Sequence, residues 1–418
     1  MQNLTKNMKF LNDDQRQHLQ SVVKYRNKGI TWSLETLRLA FRMRFVCGVQ
    51  GYEFIRQLGY PLPAYRTLCN RVCHAQFRPG VQSDVLEWLS CKIKTMTNYE
   101  KDCTLMLDEM QVRKALEYDK GLSSFLGRVS DDVVQNKQRI KDDCIELANH
   151  VLVFMVRGLT SNWKQVVAYY PTGDSVAGSV LWELTRNIIV DLGKINVNVR
   201  AVVSDMGSCN RAMWKVVGIE ATKDVLKSSI GHPYFSGQEL FFMADVPHVL
   251  KNLRNCLLTR KICLPANIQK EYNLPSSTVS LSHIRKLVEL QENSDLKIAP
   301  SLHRNHIEPK QFQKMKVGLA AQLLSHSTAS AMRFAVNEKL LPPAALTTAW
   351  FVEVISKWFE ACNARSRLQA LHSSSAEKIG TLLLLLELTP KLTFVNDRCS
   401  WKPIQTGILI STTSILDL

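Results

Sequence analysis

Apolar residues recur at helical spacing through the first hundred positions. In TWSLETLRLAFRMRFVCG, Leu34, Leu37, Phe41 and Phe45 form one stripe behind a Thr31/Ser33 start, and Gly48 marks a stop. Upstream, DDQRQHLQSVVKYRN predicts a helix capped by Asp13 or Asp14. Next, GYEFIRQLGYPLPAYRTLCNRVCHAQFRPG reads as a short helix, a break at Gly59 and the Pro61/Pro63 pair, and a second helix carrying Tyr65, Arg66, Asn70 and Arg71. This pattern fits an ordinary helical hairpin, and it also fits a helix-turn-helix that enters a DNA groove through Arg66 and Arg71.

The period then changes. CTLMLD, FLGRVS, HVLVFMVRGL and KQVVAYYP predict strands, the last two joined by a turn around Ser161 and Asn162. SVAGSVLWELTRNIIVDLG predicts a helix ending at Gly193, and VNVRAVVSD and ELFFMAD predict further strands. Strands alternating with helices in this way describe a mixed α/β sheet. From about residue 255 to 400 helical spacing dominates: KICLPANIQKEYNLPSSTVS is a connector, while LSHIRKLVELQEN, MKVGLAAQLLSHSTASAMRFAV and AALTTAWFVEVISKWFEACNARSRL predict helices. The final WKPIQTGILISTTSILDL, rich in Ile and Thr, predicts a strand. There is no internal repeat and no low-complexity tract.

Composition narrows the class. At 418 residues and 45% hydrophobic, the chain can fill two or three cores. A net charge of +16, from 53 basic and 37 acidic residues, and a pI near 9.4 point to a polyanionic partner, nucleic acid before acidic lipid. The longest apolar run, TLLLLLEL at 381–388, is far shorter than the roughly 20 residues of a membrane span and predicts a buried helix. MQNLTKNMKFLNDDQRQHLQ has no apolar stretch suited to a secretory signal, which predicts a reducing compartment. The 11 cysteines form no paired CxxC pattern and read mostly as core residues; Cys69, Cys73 and His74 come nearest to a zinc cluster, but no second pair follows them.

Three apolar strands close on acid: Asp108 after CTLML, Asp205 after VRAVVS and Asp245 after ELFFMA. The carboxyl edge of an α/β sheet is where such folds place ligands. Asp205 and Asp245 each precede a helical segment and suit helix capping; no helix immediately follows Asp108. In DVPHVLKNLRN, His248, Lys251 and Asn255 share one helix face with Arg254 beside it, a pattern that suits phosphate contact and suits a solvated surface.

Taken in order, GITWSLETLRLAFRMRFVCGVQGYEFIRQLGYPLPAYRTL, MLDEMQVRK, VVSDMGSCNRAMWKVVG and FFMADVPHVLKNLRN resemble the P-element class of DNA transposases, including the THAP-domain-containing transposases of animals. The resemblance runs from about residue 8 to the end. It implies a ribonuclease H-like catalytic core with a mixed sheet, interrupted by a mostly helical GTP-binding insertion domain and preceded by an all-α helix-turn-helix region. The corresponding divisions are 1–98 for the helical region, 99–255 for the first part of the core, 256–400 for the insertion domain and 401–418 for the return to the core.

The family's activity uses two aspartates and a glutamate to hold two Mg²⁺ (or Mn²⁺) ions, and the resemblance assigns the two aspartates to Asp108 and Asp205. Paired metals about 4 Å apart activate the attacking oxygen and stabilise the departing one, and oxygen ligands suit Mg²⁺. The family's glutamate lies after the insertion domain, on a helix for which this sequence has no matching stretch. The expectation is therefore a chain without the zinc-binding THAP module and the end of the core, impaired in catalysis, with Asp245 a weak candidate for the third ligand.

In the insertion domain WFEACNAR matches a guanine-contacting segment, which implies Glu360 and Asn363 as nucleotide contacts, with aspartate the more usual acid. There is no GxxxxGK[ST] loop, so a phosphate grip falls to lysines such as Lys310, Lys314 or Lys316, which otherwise read as a solvated helix face. The family implies DNA (transposon ends and target) as partner, self-association as dimer or tetramer, and a nuclear location. Two functions follow: a Mg²⁺-dependent DNA transposase with GTP as cofactor, or a non-enzymatic DNA-binding or dimerising remnant of one.

Overall fold

A computed structural model describes residues 10–23, 31–73, 75, 77–133, 146–292, 297–364, 366, 368–395 and 401–418. The chain divides into two compact units. The first comprises 1–176, 183–200 and 233–236, the second 177–182, 201–232 and 237–418.

The first unit opens with α1 (Asp13–Val23), α2 (Leu34–Gln57) and α3 (Tyr65–Cys73). Asp13 and Asp14 sit in the first turn of α1 and do not cap it. Asp14 instead serves the next helix, accepting from Ser33 N at 3.1 Å and from Thr36 Oγ1 at 2.9 Å. Ser33 caps α2 as its position predicts, accepting from Thr36 N. Gly48 breaks the helix with φ 70°, a value that glycine adopts freely, but helical structure resumes beyond it to Gln57. Leu37, Ala40, Phe41, Tyr52, Leu62 and Leu68 form the core of this part. The Pro-rich linker before α3 is pinned from both sides: Tyr52 Oη donates to Pro63 O at 2.7 Å and Gln15 Nε2 to Pro61 O at 3.0 Å.

Then follow β1 (Gly80–Val81), α4 (Ser83–Ile93), β2 (Asp102–Gln111), β3 (Glu117–Asp119), β4 (Ser124–Leu126), β5 (His150–Gly158) and β6 (Lys164–Thr172). The strands run antiparallel in the order β1-β6-β5-β2. Period-2 alternation explains the pairing: Cys103, Leu105 and Leu107 of β2 are buried on the same face as Phe154 and Val156 of β5. FLGRVS, expected as a strand, contributes only the end of β4, which pairs with β3 in a separate hairpin. After α5 (Gly178–Lys194) comes β7 (Asn198–Ser204), whose last four residues belong to the second unit.

The second unit continues with α6 (Ser208–Val216), β8 (Glu220–Ala221), β9 (Leu226–Lys227), β10 (Ser229–Gly231), β11 (Glu239–Ala244) and α7 (Val246–Thr259). β11 runs parallel to β7 and antiparallel to β10. The connector predicted after α7 holds β12 (Ile262–Cys263), α8 (Ala266–Glu271) and β13 (Thr278–Val279). Next are α9 (Leu281–Glu292), α10 (Arg304–Ile307), α11 (Val317–Leu323), α12 (His326–Asn337), α13 (Ala345–Cys362), α14 (Ala376–Leu388), β14 (Thr393–Phe394) and α15 (Pro403–Asp417). The segment read as one helix over MKVGLAAQLLSHSTASAMRFAV is two, because Ser325 caps a new start and accepts from Thr328 N. TLLLLLEL lies within α14, with Leu382, Leu385 and Leu388 buried. Among the described residues no helix is long and apolar enough to cross a membrane.

The terminal segment overturns its prediction: it is the helix α15, not a strand. Its serines replace strand pairing where β10 stops short. Ser411 Oγ accepts from Ala244 N at 2.9 Å and donates to Ala244 O at 3.2 Å, while Ser414 Oγ donates to Phe242 O at 2.6 Å. The outer edge of β11 is thereby satisfied by side chains of a covering helix. Thr412 accepts from Trp358 Nε1 at 3.0 Å and fastens α15 to α13.

Candidate functional site

Asp108 lies on β2, which runs three residues beyond it to Gln111. The sequence reading that ended the strand at Asp108 is corrected: burial, not pairing, stops there, since residues 108–111 are all exposed yet stay in register with β5 through Gln111↔His150. Asp108 stands opposite Val153, and its Oδ1 accepts from Glu109 N at 2.9 Å. Because the strand continues, Glu109 projects to the opposite face.

Asp205 belongs to the second unit and follows the last residue of β7. Gly207, not Asp205, occupies the N-cap position of α6. The carboxylate is nonetheless fixed: Oδ1 accepts from Gly207 N at 2.8 Å and from Asn210 Nδ2 at 2.6 Å. Both donors converge on Oδ1, and none of the described residues donates to Oδ2. A methyl group on residue 207 would lie 2.9 Å from Oδ1, so a larger residue here would push the carboxylate from this position. Gly207 and Asn210 hold the candidate ligand Asp205 and were passed over by sequence reasoning, although SDMGSCN held the signal: an Asp followed by a Gly and a side-chain amide within five positions.

Asp245 directly follows β11, whose Ala244 is in register with Ser204 of β7. As the two strands are parallel, Asp205 and Asp245 emerge side by side from one carboxyl edge, and Asp245 N donates to Ser204 O at 2.8 Å. Asp245 occupies the N-cap position of α7 as predicted, but its side chain makes no cap bond and lies 3.4 Å from His248 Nδ1.

The α7 basic residues separate into two environments. Lys251 and His248 are half-buried. Arg254 is fully buried, which corrects its assignment as a phosphate contact. Its Nε donates to Asn255 Oδ1 at 3.0 Å and its Nη2 to Lys314 O at 2.6 Å. Burial pulls the guanidinium below its ordinary pKa. Arg254 is thus a strut that holds the 310–316 segment.

Lys310, Lys314 and Lys316 are exposed, but they lie in and beside a 3₁₀ turn at Gln311–Met315, not on an α-helical face. Glu360 is exposed near the end of α13 and accepts from Ser356 Oγ at 3.3 Å; Asn363 is the exposed C-cap residue of that helix. One turn apart, they offer a carboxylate and an amide. Arg66 and Arg71 are exposed on α3. Cys69 and Cys73 lie on the same helix, while His74 falls outside the described residues. Of the described cysteines Cys91, Cys103 and Cys256 are buried and Cys47 and Cys73 exposed, fewer in the core than their number suggested.

Asp108 in the first unit and Asp205 in the second each offer a hard carboxylate oxygen of the kind that suits Mg²⁺, and each has its Oδ1 held by a local donor. Comparison with known proteins gives this arrangement its class. The chain matches the family model for a TNP-like RNase H N-terminal domain over residues 77–218 and that for a TNP-like GTP-binding insertion domain over residues 247–375. This is a ribonuclease H-like α/β fold carrying an inserted domain.

Among curated relatives, it is 26% identical over 373 residues to the Transposable element P transposase of Drosophila melanogaster, covering 88% of this chain and 44% of that protein. It is 24% identical over 331 residues to the human (Homo sapiens) DNA transposase THAP9, covering 77% of this chain and 34% of that protein. The chain therefore spans less than half the length of these relatives. The solved Drosophila P element transposase strand transfer complex shares the fold, with a TM-score of 0.67 and 23% identity, covering 100% of this chain and 85% of that one. The chain belongs to the P-element-type transposase family.

Proposed function

We propose that the chain performs metal-dependent DNA cleavage and strand transfer as a transposase, with Asp108 and Asp205 as its metal ligands. The observation that carries this reading is the carboxylate of Asp205, oriented by Gly207 N and Asn210 Nδ2 at the end of a buried strand, to whose second oxygen none of the described residues donates. A pair of bound Mg²⁺ or Mn²⁺ ions would supply activation of the attacking oxygen and stabilisation of the leaving one. The protein's own residues orient and bind. Asn210 and Gly207 hold the Asp205 carboxylate in one rotamer, and Asp108 presents an exposed carboxylate from a strand fixed by its ladder to β5. Asp245, emerging beside Asp205, is the candidate for a third ligand in the second unit.

Arg66, Arg71 and Lys251, with the net charge of +16, supply phosphate contacts, and binding weakens with salt accordingly. In the insertion domain Glu360 accepts from guanine N1 and N2 and Asn363 reads its remaining edge, with Lys314 and Lys316 beside the phosphates. The nucleotide acts as a cofactor that positions DNA. Paired transposon ends require at least a dimer, and the substrate places the protein in the nucleus.

The test is Mg²⁺- or Mn²⁺-dependent nicking of a labelled duplex by the chain, with an Asp108→Ala/Asp205→Ala variant beside it. Nicking that vanishes in the variant supports the enzyme reading. Salt-sensitive DNA binding without nicking in either protein refutes it and favours a DNA-binding remnant. Binding of a fluorescent GTP analogue, compared with Glu360→Ala, tests the nucleotide site separately.

A further inference from the structure

In the first unit α2, α3, α4 and the start of β6 line an open cavity of about 460 Å³ that the transposase reading does not use. Its walls are aromatic, with Tyr65, Trp88 and Trp163 among them, and its only charged lining residues among those described are Arg44, Lys92 and Lys164. No carboxylate among the described residues lines it. Lys92 Nζ lies 5.7 Å from the ring centre of Trp163, and Arg44 Cζ lies 5.8 Å from that of Phe45 and 5.9 Å from that of Tyr65. Among the described residues none of these three cations forms an ion pair, and Arg44 and Lys92 instead lie against aromatic faces. Burial and the neighbouring Arg44 pull the Lys92 ammonium below its ordinary pKa, as expected where like charges share a site without an anion.

We propose that this cavity receives an unpaired nucleotide of a DNA strand, its base against the aromatic walls and its phosphate at Arg44 and Lys92. The volume is that of a ligand pocket, large enough for one nucleotide unit and too small for a duplex. Aromatic walls hold any base through its π face, and cations beside them hold the backbone, the combination used by single-strand binders. In a duplex both faces of a base are covered by its neighbours, so the occupant is a nucleotide at a frayed end or one turned out of the stack. The proposal rests on the DNA reading for the source of the nucleotide.

The experiment follows the tryptophan fluorescence of the full chain, with Trp88→Phe identifying the cavity signal, during titration with deoxyadenosine monophosphate, a short single-stranded oligonucleotide, a blunt duplex and an acidic tyrosine-containing peptide. We expect saturable quenching by the mononucleotide and the oligonucleotide, weakened at least 10-fold in Arg44→Met/Lys92→Met and retained in Lys92→Arg. Gel-shift affinity for the duplex stays within about twofold in all these variants. Duplex binding with no cavity signal from either nucleotide probe overturns the proposal and leaves the DNA reading intact. A cavity that prefers the acidic peptide also overturns it. Failure of all DNA binding refutes the DNA reading instead, and the mononucleotide response then decides whether the cavity is a nucleotide site.

Discussion

Replacing Arg254 with methionine tests whether this residue acts as a buried strut or as a DNA contact. The guanidinium is buried, is paired with no carboxylate among the described residues, and donates to Asn255 Oδ1 and Lys314 O. Methionine keeps much of the apolar stem and removes both bonds. A hydrogen bond to a charged group contributes about 1.5–3 kcal/mol, partly offset by the cost of dehydrating the guanidinium. The bond to Lys314 O ties the 3₁₀ turn at Gln311–Met315 to α7, and Phe312 and Met315 of that turn, 84% and 70% exposed, contribute little packing of their own.

Losing that bond raises the open population of the turn by about 10- to 150-fold, at 1.4 kcal/mol per factor of ten. Cleavage by a protease tracks this population when reclosing is fast. We therefore expect trypsin to cut after Lys314 or Lys316 at least 10-fold faster in Arg254→Met, with the salt dependence of DNA binding unchanged. Lys251→Ala should do the reverse, lowering the slope of log affinity against log salt by about 0.9 for one lost phosphate contact. Unchanged proteolysis in Arg254→Met together with a reduced salt slope would refute the strut.

Three further perturbations probe the site and its supports. Gly207→Ala keeps an ordinary φ of −59° but places a methyl group against Asp205 Oδ1; nicking should fall at least 10-fold with thermal stability and DNA affinity unchanged, and full activity would show that this contact does not orient the carboxylate. Ser411→Ala strips partners from both N–H and C=O of Ala244, and Ser414→Ala strips one from Phe242 O; losses of about 1–3 kcal/mol each in urea unfolding are expected for buried polar groups left unmatched, and no loss in either would contradict edge capping by α15. Burial raises the Glu353 pKa, but hydrogen bonds and charge from Arg333 and His326 outweigh it and hold the folded value below the ordinary 4.5. A depressed carboxyl stabilises the fold above the unfolded pKa and loses that contribution as pH falls through the folded value. Since Arg333 and His326 are 40% and 67% exposed, the effect is about 1 kcal/mol. Glu353→Gln should lower the melting temperature at pH 7 and converge with the parent by pH 3; parallel curves would count against the linkage.

Much of the fold was written in periodicity, and the failures have identifiable causes. The runs HVLVFMVRGL, KQVVAYYP and ELFFMAD became β5, β6 and β11 because alternating or continuous burial leaves a short apolar segment few other solutions. WKPIQTGILISTTSILDL failed because its Ile and Thr favour strands locally, whereas tertiary packing decides the outcome. Its serines and threonines are buried as partners for β11 and Trp358, and neither partner is visible from within the segment.

The site was legible where chemistry is carried by single residues and illegible where it depends on what surrounds them. Asp205 could be picked out from its place after an apolar run, but the two donors that fix its carboxylate come from the turn beyond and depend on the path of that turn. Arg254 shows the converse error. Sequence reading grouped it with Lys251 by charge, yet it follows Leu253 and stands one turn after Leu250, on the same stripe as Val246, Val249 and Leu257. Position on the helix outweighs residue type here: a cation on the apolar stripe must be folded inside with its own acceptors, and the carbonyl of Lys314 is that acceptor. A charge count that treats Arg254 as part of the DNA-facing surface therefore assigns to binding what the helix has committed to holding a neighbouring turn.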